Sequence, residues 1–248
     1  MKAMILAAGR GERMRPLTDT TPKPLLPAGG KPLIVWHLER LARAGIRDIV
    51  VNHAWLGERI EAVLGDGSAW GVSIRYSAEG EALETAGGIA RALPMLTESR
   101  VDAAPFLVIS ADIWSYADYG RATTIALQMQ FTGARCWCVM VPNPAHHGGG
   151  DFLLDGGRLR TAAPDRDVPG RSTVPARFTY AGIGLYSPAM FADVDPSRKS
   201  PLRPWLEREI GAGRAFGEYH PGSWFDVGTV ERLAALDRFL SDREPGRR

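Results

Sequence analysis

Cysteine is nearly absent: Cys136 and Cys138 are the two in 248 residues. They flank Trp137 in an apolar run, so on a strand they share one face and are poorly placed to bridge. Two thiols do not complete a metal site, and both read as buried free thiols. Neither sign of charge dominates, with 30 Lys+Arg against 28 Asp+Glu and a net charge of +2. No basic run is longer than a pair, such as the terminal Arg247-Arg248, which argues against a nucleic-acid partner. No stretch approaches the ~20 apolar residues of a membrane span. The opening run, residues 3–8, is broken by Gly9-Arg10-Gly11 too soon for a secretory leader. A cytoplasmic protein with no membrane partner is expected. Nothing in the sequence indicates an oligomeric state.

Hydrophobic residues make up 45% of the chain and charged residues 23%, as in ordinary globular proteins. A single domain over residues 1–248 is expected, in two halves, 1–133 and 134–240, with a tail at 241–248. In the first half, strand patterns at 2–7, 48–52, 72–76 and 106–110 alternate with helix patterns at 32–44, 55–64 and 84–93. Gly45 and Gly65 close the first two helices, and Pro94 is expected to end the third. This alternation predicts an α/β fold: a Rossmann-like, doubly wound, mostly parallel mixed sheet flanked by helices. The second half reads as a strand at 134–141, a Gly/Pro/His loop at 142–150 and a hairpin of 151–154 with 158–161. An exposed excursion at 164–175, a strand at 178–186 and helices at 202–210 and 229–240 follow. This half is expected to form a small lobe that folds back onto the first sheet.

In doubly wound sheets ligands sit beyond the carboxyl ends of the strands. Residues 9–13, Asn52 and Asp112 all fall at such ends. Leu6-Ala7-Ala8-Gly9-Arg10-Gly11-Glu12-Arg13 puts a glycine-rich turn straight after a buried strand, where peptide N–H groups can approach a polyphosphate. Arg13 can fork onto phosphate oxygens, and Lys23, held between Pro22 and Pro24, adds a compact cation. The spacing is neither a dinucleotide fingerprint nor a Walker loop, which excludes a nicotinamide oxidoreductase. Taken singly, Arg13 and Lys23 suit solvated surface positions. Together after one strand they point to phosphate binding.

The opening motif continues through Met14-Arg15-Pro16-Leu17-Thr18 to Pro22-Lys23-Pro24. With it stand Val51-Asn52-His53-Ala54-Trp55-Leu56-Gly57, Glu84-Thr85-Ala86-Gly87-Gly88-Ile89, Asp112, Phe178-Thr179-Tyr180-Ala181-Gly182-Ile183 and Trp224-Phe225-Asp226-Val227-Gly228-Thr229. Nearly the whole chain thus resembles the sugar-1-phosphate nucleotidylyltransferases. Within that family, residues 53–57, 76–85 and 143–152 are most similar to the branch that transfers uridylate to N-acetylmuramate 1-phosphate in peptidoglycan recycling.

The resemblance implies UTP and a sugar 1-phosphate as substrates and Mg²⁺ as cofactor. It makes residues 1–133 the nucleotide-binding half and 134–240 the sugar-binding, metal-completing half. Ala8, Gly9, Gly11, Glu12 and Arg13 would cradle the nucleotide, with Asn52 beside them and Gly87 against the uracil edge. Arg13 and Lys23 would be the catalytic cations, Arg13 on the β- and γ-phosphates and Lys23 on the α-phosphate. Asp112 and Asp226 would hold the metal, and Asp112, Asn143, Gly150, Asp151 and Gly182 would line the sugar site. A thymidylyl, cytidylyl or guanylyl transfer to another hexose phosphate is the nearby alternative. A non-catalytic nucleotide-sugar sensor, by contrast, would be expected to have lost these charges.

Asp226 also suits a plain turn, with Thr229 capping the last helix. Trp36 and Trp55 are expected in the core, and His146 and His147 in a solvated or substrate-lining loop. Two departures stand out. Ser110-Ala111-Asp112 replaces the Asn-Gly-Asp common in relatives, and the Glu-Lys-Pro of larger relatives has no counterpart near Ala163-Pro164-Asp165. A muramyl sugar also carries a lactyl carboxylate, for which Arg198, Lys199 and Arg203 are cations without an assigned role.

Overall fold

The computed structural model describes residues 1–98, 104–161 and 176–242. The expected excursion at 164–175 and all but the first two tail residues lie outside the described residues. The first half runs β1 (Lys2–Leu6), a single helical turn α1 (Leu17–Thr20), the paired dipeptides β2 (Pro27–Ala28) and β3 (Lys31–Pro32), then α2 (Leu33–Arg43). It continues β4 (Asp48–His53), α3 (Gly57–Leu64), β5 (Ser73–Ala78), α4 (Glu84–Thr97), β6 (Phe106–Ser110), β7 (Ile113–Ser115) and α5 (Ala122–Thr132). The second half runs β8 (Cys136–Val141), β9 (Phe152–Asp155), β10 (Arg158–Arg160), β11 (Arg177–Tyr186), α6 (Arg203–Gly211), β12 (Ala215–Tyr219), β13 (Trp224–Asp226) and α7 (Val230–Ser241).

Among the described residues nine strands form one sheet in the order β5-β4-β1-β6-β11-β8-β12-β10-β9. The first four are parallel to one another, as right-handed crossovers through α2, α3 and α4 require. Beyond them the sheet is mixed: β11 runs antiparallel to both β6 and β8, and β12 parallel to β8. Because β11 lies between β6 and β8, the second half extends the first sheet rather than forming a separate layer.

The apolar strand runs follow from burial on both faces. Ala3 and Ile5 enter a core shared with Leu38 of α2, Ile60 of α3 and Ile125 of α5. Met4, between them, enters the opposite core with Ile89 of α4 and Leu206 of α6. Each fully buried Leu or Ile contributes about 1.5–3 kcal/mol, so an alternating polar pattern would have forfeited one layer of helices. A third cluster joins Met14, Trp114 and Val227 to Leu233, Leu236 and Leu240, fastening α7 beside the turn after β1.

The helix expected to stop before Pro94 continues to Thr97 with the proline inside it. Burial of Leu96 and Thr97 holds the last turn, and the Thr97 hydroxyl donates to Leu93 O at 2.9 Å. The sequence patterns do not predict α5, β7, β12 or β13. Cys136 and Cys138 are buried free thiols, as expected.

Candidate active site

The chain leaves β1 and turns under Asn52. The Ala7 N–H donates to Asn52 Oδ1 at 2.9 Å, and Asn52 Nδ2 donates to Glu79 Oε1 at 2.5 Å. Glu79 Oε2 in turn accepts the Leu83 N–H at 2.8 Å. Asn52 is only 2% exposed, and its amide braces the turn from below. Gly11 sits at φ 70°, and a Cβ there would lie 2.9 Å from Thr18 Cγ2 and 3.3 Å from Lys23 Cβ. Both the conformation and the packing therefore require glycine. Gly9 faces open space, Ala8 is buried behind it, and Glu12 and Arg13 emerge on an exposed single turn of 3₁₀ helix. Trp55 is half-buried rather than core. Its indole N–H donates to Thr18 O at 2.9 Å, and the Arg10 guanidinium lies 3.4 Å over its ring. Trp36 is likewise only partly buried, against the α7 cluster.

Lys23 is 7% exposed, and its Nζ donates to Asp112 Oδ2 at 2.6 Å. A buried ammonium is costly without such a partner, so the turn after β1 and the end of β6 are tied together by charge. Beyond Asp112, β7 pairs antiparallel with β13, with Asp226 opposite Ile113. The Val227 N–H donates to Asp112 O at 2.8 Å. Two aspartates over a hundred residues apart in sequence are thus brought onto neighbouring strands. Arg232 Nη1 lies 2.5 Å from Asp226 Oδ2. His146 Nε2 is 2.6 Å from the same Arg232 nitrogen and 3.1 Å from Asp226 Oδ2. The Thr229 side chain also caps α7, accepting the Arg232 N–H at 3.3 Å, so the capping turn and the placement of Asp226 coexist.

These groups open onto a cavity of about 550 Å³. Arg13, Asp112, Asp226 and His146 line it, as do Asp151 and the His147 and Arg203 that approach it. Gly182, at φ 74°, lies where the β11–β8 register shifts. A Cβ there would sit 2.9 Å from Ser110 Oγ, so this bulge and its glycine shape the floor. Tyr180 lines the cavity too, and its hydroxyl is 2.8 Å from that of Tyr186. Burial pushes both phenols upward, which keeps them neutral.

Arg13, Asp112, Asp151, Gly182 and Asp226 therefore share one cavity, with Lys23 against Asp112. Other expected positions lie behind it. Asn143 accepts from the Thr179 hydroxyl at 3.0 Å and donates to Gly148 O and Arg177 O. Gly150 packs against the same amide. Both therefore shape the loop that carries the two histidines rather than line the sugar side directly. The Gly87 N–H donates to Ser200 O at 3.1 Å, and a Cβ there would meet Arg198 O at 2.6 Å. Its smallness serves the packing of α4 against residues 198–200. Arg232 was not anticipated; its only sequence signal is a cation in the first turn of the helix after Asp226.

Asp112 and Asp226 offer a hard dication two carboxylates. Among the described residues no set of three or more His, Cys, Asp or Glu could hold a metal ion. An ion here would therefore need phosphate oxygens and water to complete its shell, as Mg²⁺ on a nucleotide does.

A family model described as Nucleotidyl transferase matches residues 2–243. The chain belongs to this family. It is 49% identical over 235 residues to the N-acetylmuramate alpha-1-phosphate uridylyltransferase of Neisseria meningitidis serogroup B, covering 94% of this chain and 95% of that one. It is 32% identical over 250 residues to the enzyme of the same name from Caulobacter vibrioides, covering 97% of each. Among solved structures, a putative glucose-1-phosphate thymidylyltransferase from Bacillus anthracis superposes with a TM-score of 0.78 at 21% identity, covering 100% of this chain and 98% of that one. That likeness extends the α/β nucleotidyltransferase fold to this chain. The chain is accordingly a nucleotidyltransferase enzyme.

Proposed function

We propose that the enzyme transfers uridylate from UTP to N-acetylmuramate 1-phosphate, giving UDP-N-acetylmuramate and pyrophosphate. The supporting observation is the convergence of Arg13, the Lys23–Asp112 pair and Asp226 on one cavity beyond the turn after β1. The two relatives aligned over nearly their full length carry the uridylyltransferase name. Such an activity would serve peptidoglycan recycling.

An ionised sugar phosphate needs no general base. Its oxygen attacks the α-phosphorus in line, one P–O bond forming as the bond to pyrophosphate breaks. The barrier is repulsion between polyanions, and positioning with fixed cations lowers it. Gly9 leaves the turn's N–H groups accessible to the triphosphate. Arg13 faces the departing pyrophosphate, and Lys23, held beside Asp112, carries charge to the reacting phosphate. Mg²⁺, held by Asp112 and Asp226, would neutralise phosphate charge when bound. Asp151 would accept from the sugar.

Pyrophosphate release from a grid of UTP, dTTP, CTP and GTP against the 1-phosphates of N-acetylmuramate, N-acetylglucosamine, glucose and mannose tests the proposal. The highest kcat/KM is expected for UTP with N-acetylmuramate 1-phosphate. No release from that pair ends the reading.

A further inference from the structure

Two arginines line the cavity. Arg13 stands at the phosphate end, next to the Lys23–Asp112 and Arg232–Asp226 pairs. The other lining arginine is Arg203, the first residue of α6, beside Asp151. Its stem crosses Phe152, with the guanidinium carbon 5.4 Å from the ring centre. Its Nε donates to Glu207 Oε1 at 2.9 Å. That bond occupies Nε and leaves the Nη groups for the Asp151 side. The contact of Nη1 with Asp151 Oδ1 is long, 3.6 Å, well outside the usual charge-assisted range.

Asp151 does not depend on that contact. Its Oδ2 accepts the Tyr180 N–H at 2.8 Å, and its Oδ1 lies 3.2 Å from His147 Nε2. Arg203 can therefore meet a second carboxylate without releasing Asp151, and Asp151 remains anchored if Arg203 is removed. Arg177 is held by Asp151 O and Thr161 O, and the two cations that shortly precede Arg203 in sequence are less suited. Lys199 is paired with Glu81, and Arg198 contributes its backbone oxygen beside Gly87. Neither lines the cavity.

We propose that Arg203 is the specificity residue for the sugar's lactyl carboxylate, bound through its Nη edge beside Asp151. This rests on the sugar being N-acetylmuramate 1-phosphate. A sugar phosphate lacking that acid leaves the fork with only its loose contact to Asp151. The acid gains a charge-assisted, planar pair that a lysine matches poorly.

The test compares kcat/KM with UTP for N-acetylmuramate 1-phosphate and for its lactyl amide, which keeps the bulk and removes the charge. Wild type should prefer the acid by about 10- to 100-fold, the range of a hydrogen-bonded charge. Arg203→Gln should lose that factor on the acid, mainly through KM, and leave the amide unchanged, bringing the ratio near one. Arg203→Lys should recover part of it. An equal drop on both substrates would assign Arg203 to packing against Phe152 and Glu207 and overturn the inference. So would a wild-type acid/amide ratio retained in Arg203→Gln. Wild type inactive on the acid but active on another sugar phosphate would instead remove the reading beneath it.

Discussion

The two ends of the cavity are built differently. The phosphate end stands on strand termini: Asp112 follows β6, Asp226 ends β13, and each carboxylate already faces a cation at 2.5–2.6 Å. The sugar end stands on the loop before β9 and a helix start, with its Arg203–Asp151 ion pair at 3.6 Å. Closely paired charges on rigid strands suit a reaction whose charges are the same for every substrate. Loosely paired charges on loops suit recognition that differs between substrates. The contrast predicts that changes at the first end alter rate for all sugars, and changes at the second alter choice.

The largest effect is expected from Asp226→Ala. Loss of one of two carboxylates able to hold Mg²⁺ forfeits several kcal/mol of charge stabilisation, on the order of 10³-fold in kcat. The loss should be the same, within a few-fold, for the acid and amide substrates described above. Selective loss on one of them would break the division of labour between the ends.

A smaller effect is expected from Arg232→Gln. Arg232 orients Asp226 and lies against His146, so it is a positioning residue. Removing such a support typically costs about 10- to 100-fold. The Mg²⁺ titration of the rate separates the roles. A shifted half-saturation point is expected for a residue that positions Asp226, and a lower plateau with an unshifted midpoint would argue against it.

The same contrast explains what could be read from the sequence. The turn after β1 was legible because its parts are contiguous: a buried strand, Gly9, Gly11, Arg13 and, soon after, Lys23. The parallel strands were legible because each is an unbroken apolar run buried on both faces. Helix α5 was not, because Leu127 and Phe131 are 62% and 93% exposed and blur the stripe formed by Ile125, Ala126 and Met129. Strand β12 was not, because Gly217 and Glu218 interrupt it. Asp226 meets His146 across 80 residues of sequence, and Arg203 reaches Asp151 through the approach of α6. Spacing carries no trace of such meetings; the resemblance supplied Asp226, but not its partners. The same limit applies to Asn52 and Gly87, whose motifs mark them while only packing tells whether they touch ligand or brace the turn.

At neutral pH the smallest effect on rate is expected from a residue beneath the phosphate end. His37, on α2, is 1% exposed. Its Nε2 is 2.8 Å from Ile113 O, an oxygen that can only accept, so the proton sits there and Nδ1 accepts from the Tyr119 hydroxyl at 3.1 Å. Burial, with Arg40 nearby, lowers its pKa from 6.5 to about 4. The unfolded chain therefore takes up this proton first as pH falls. The stabilising contribution is complete above pH 6.5, declines between 6.5 and 4, and is exhausted below 4. The whole loss amounts to about 3 kcal/mol. His37→Gln can keep both hydrogen bonds and cannot titrate, so its urea-unfolding free energy should fall less between pH 7 and pH 4.5 than wild type's. Its turnover at pH 7 should stay within a few-fold of wild type. Equal pH slopes would show that β7, which follows Asp112, does not depend on a neutral imidazole beneath it.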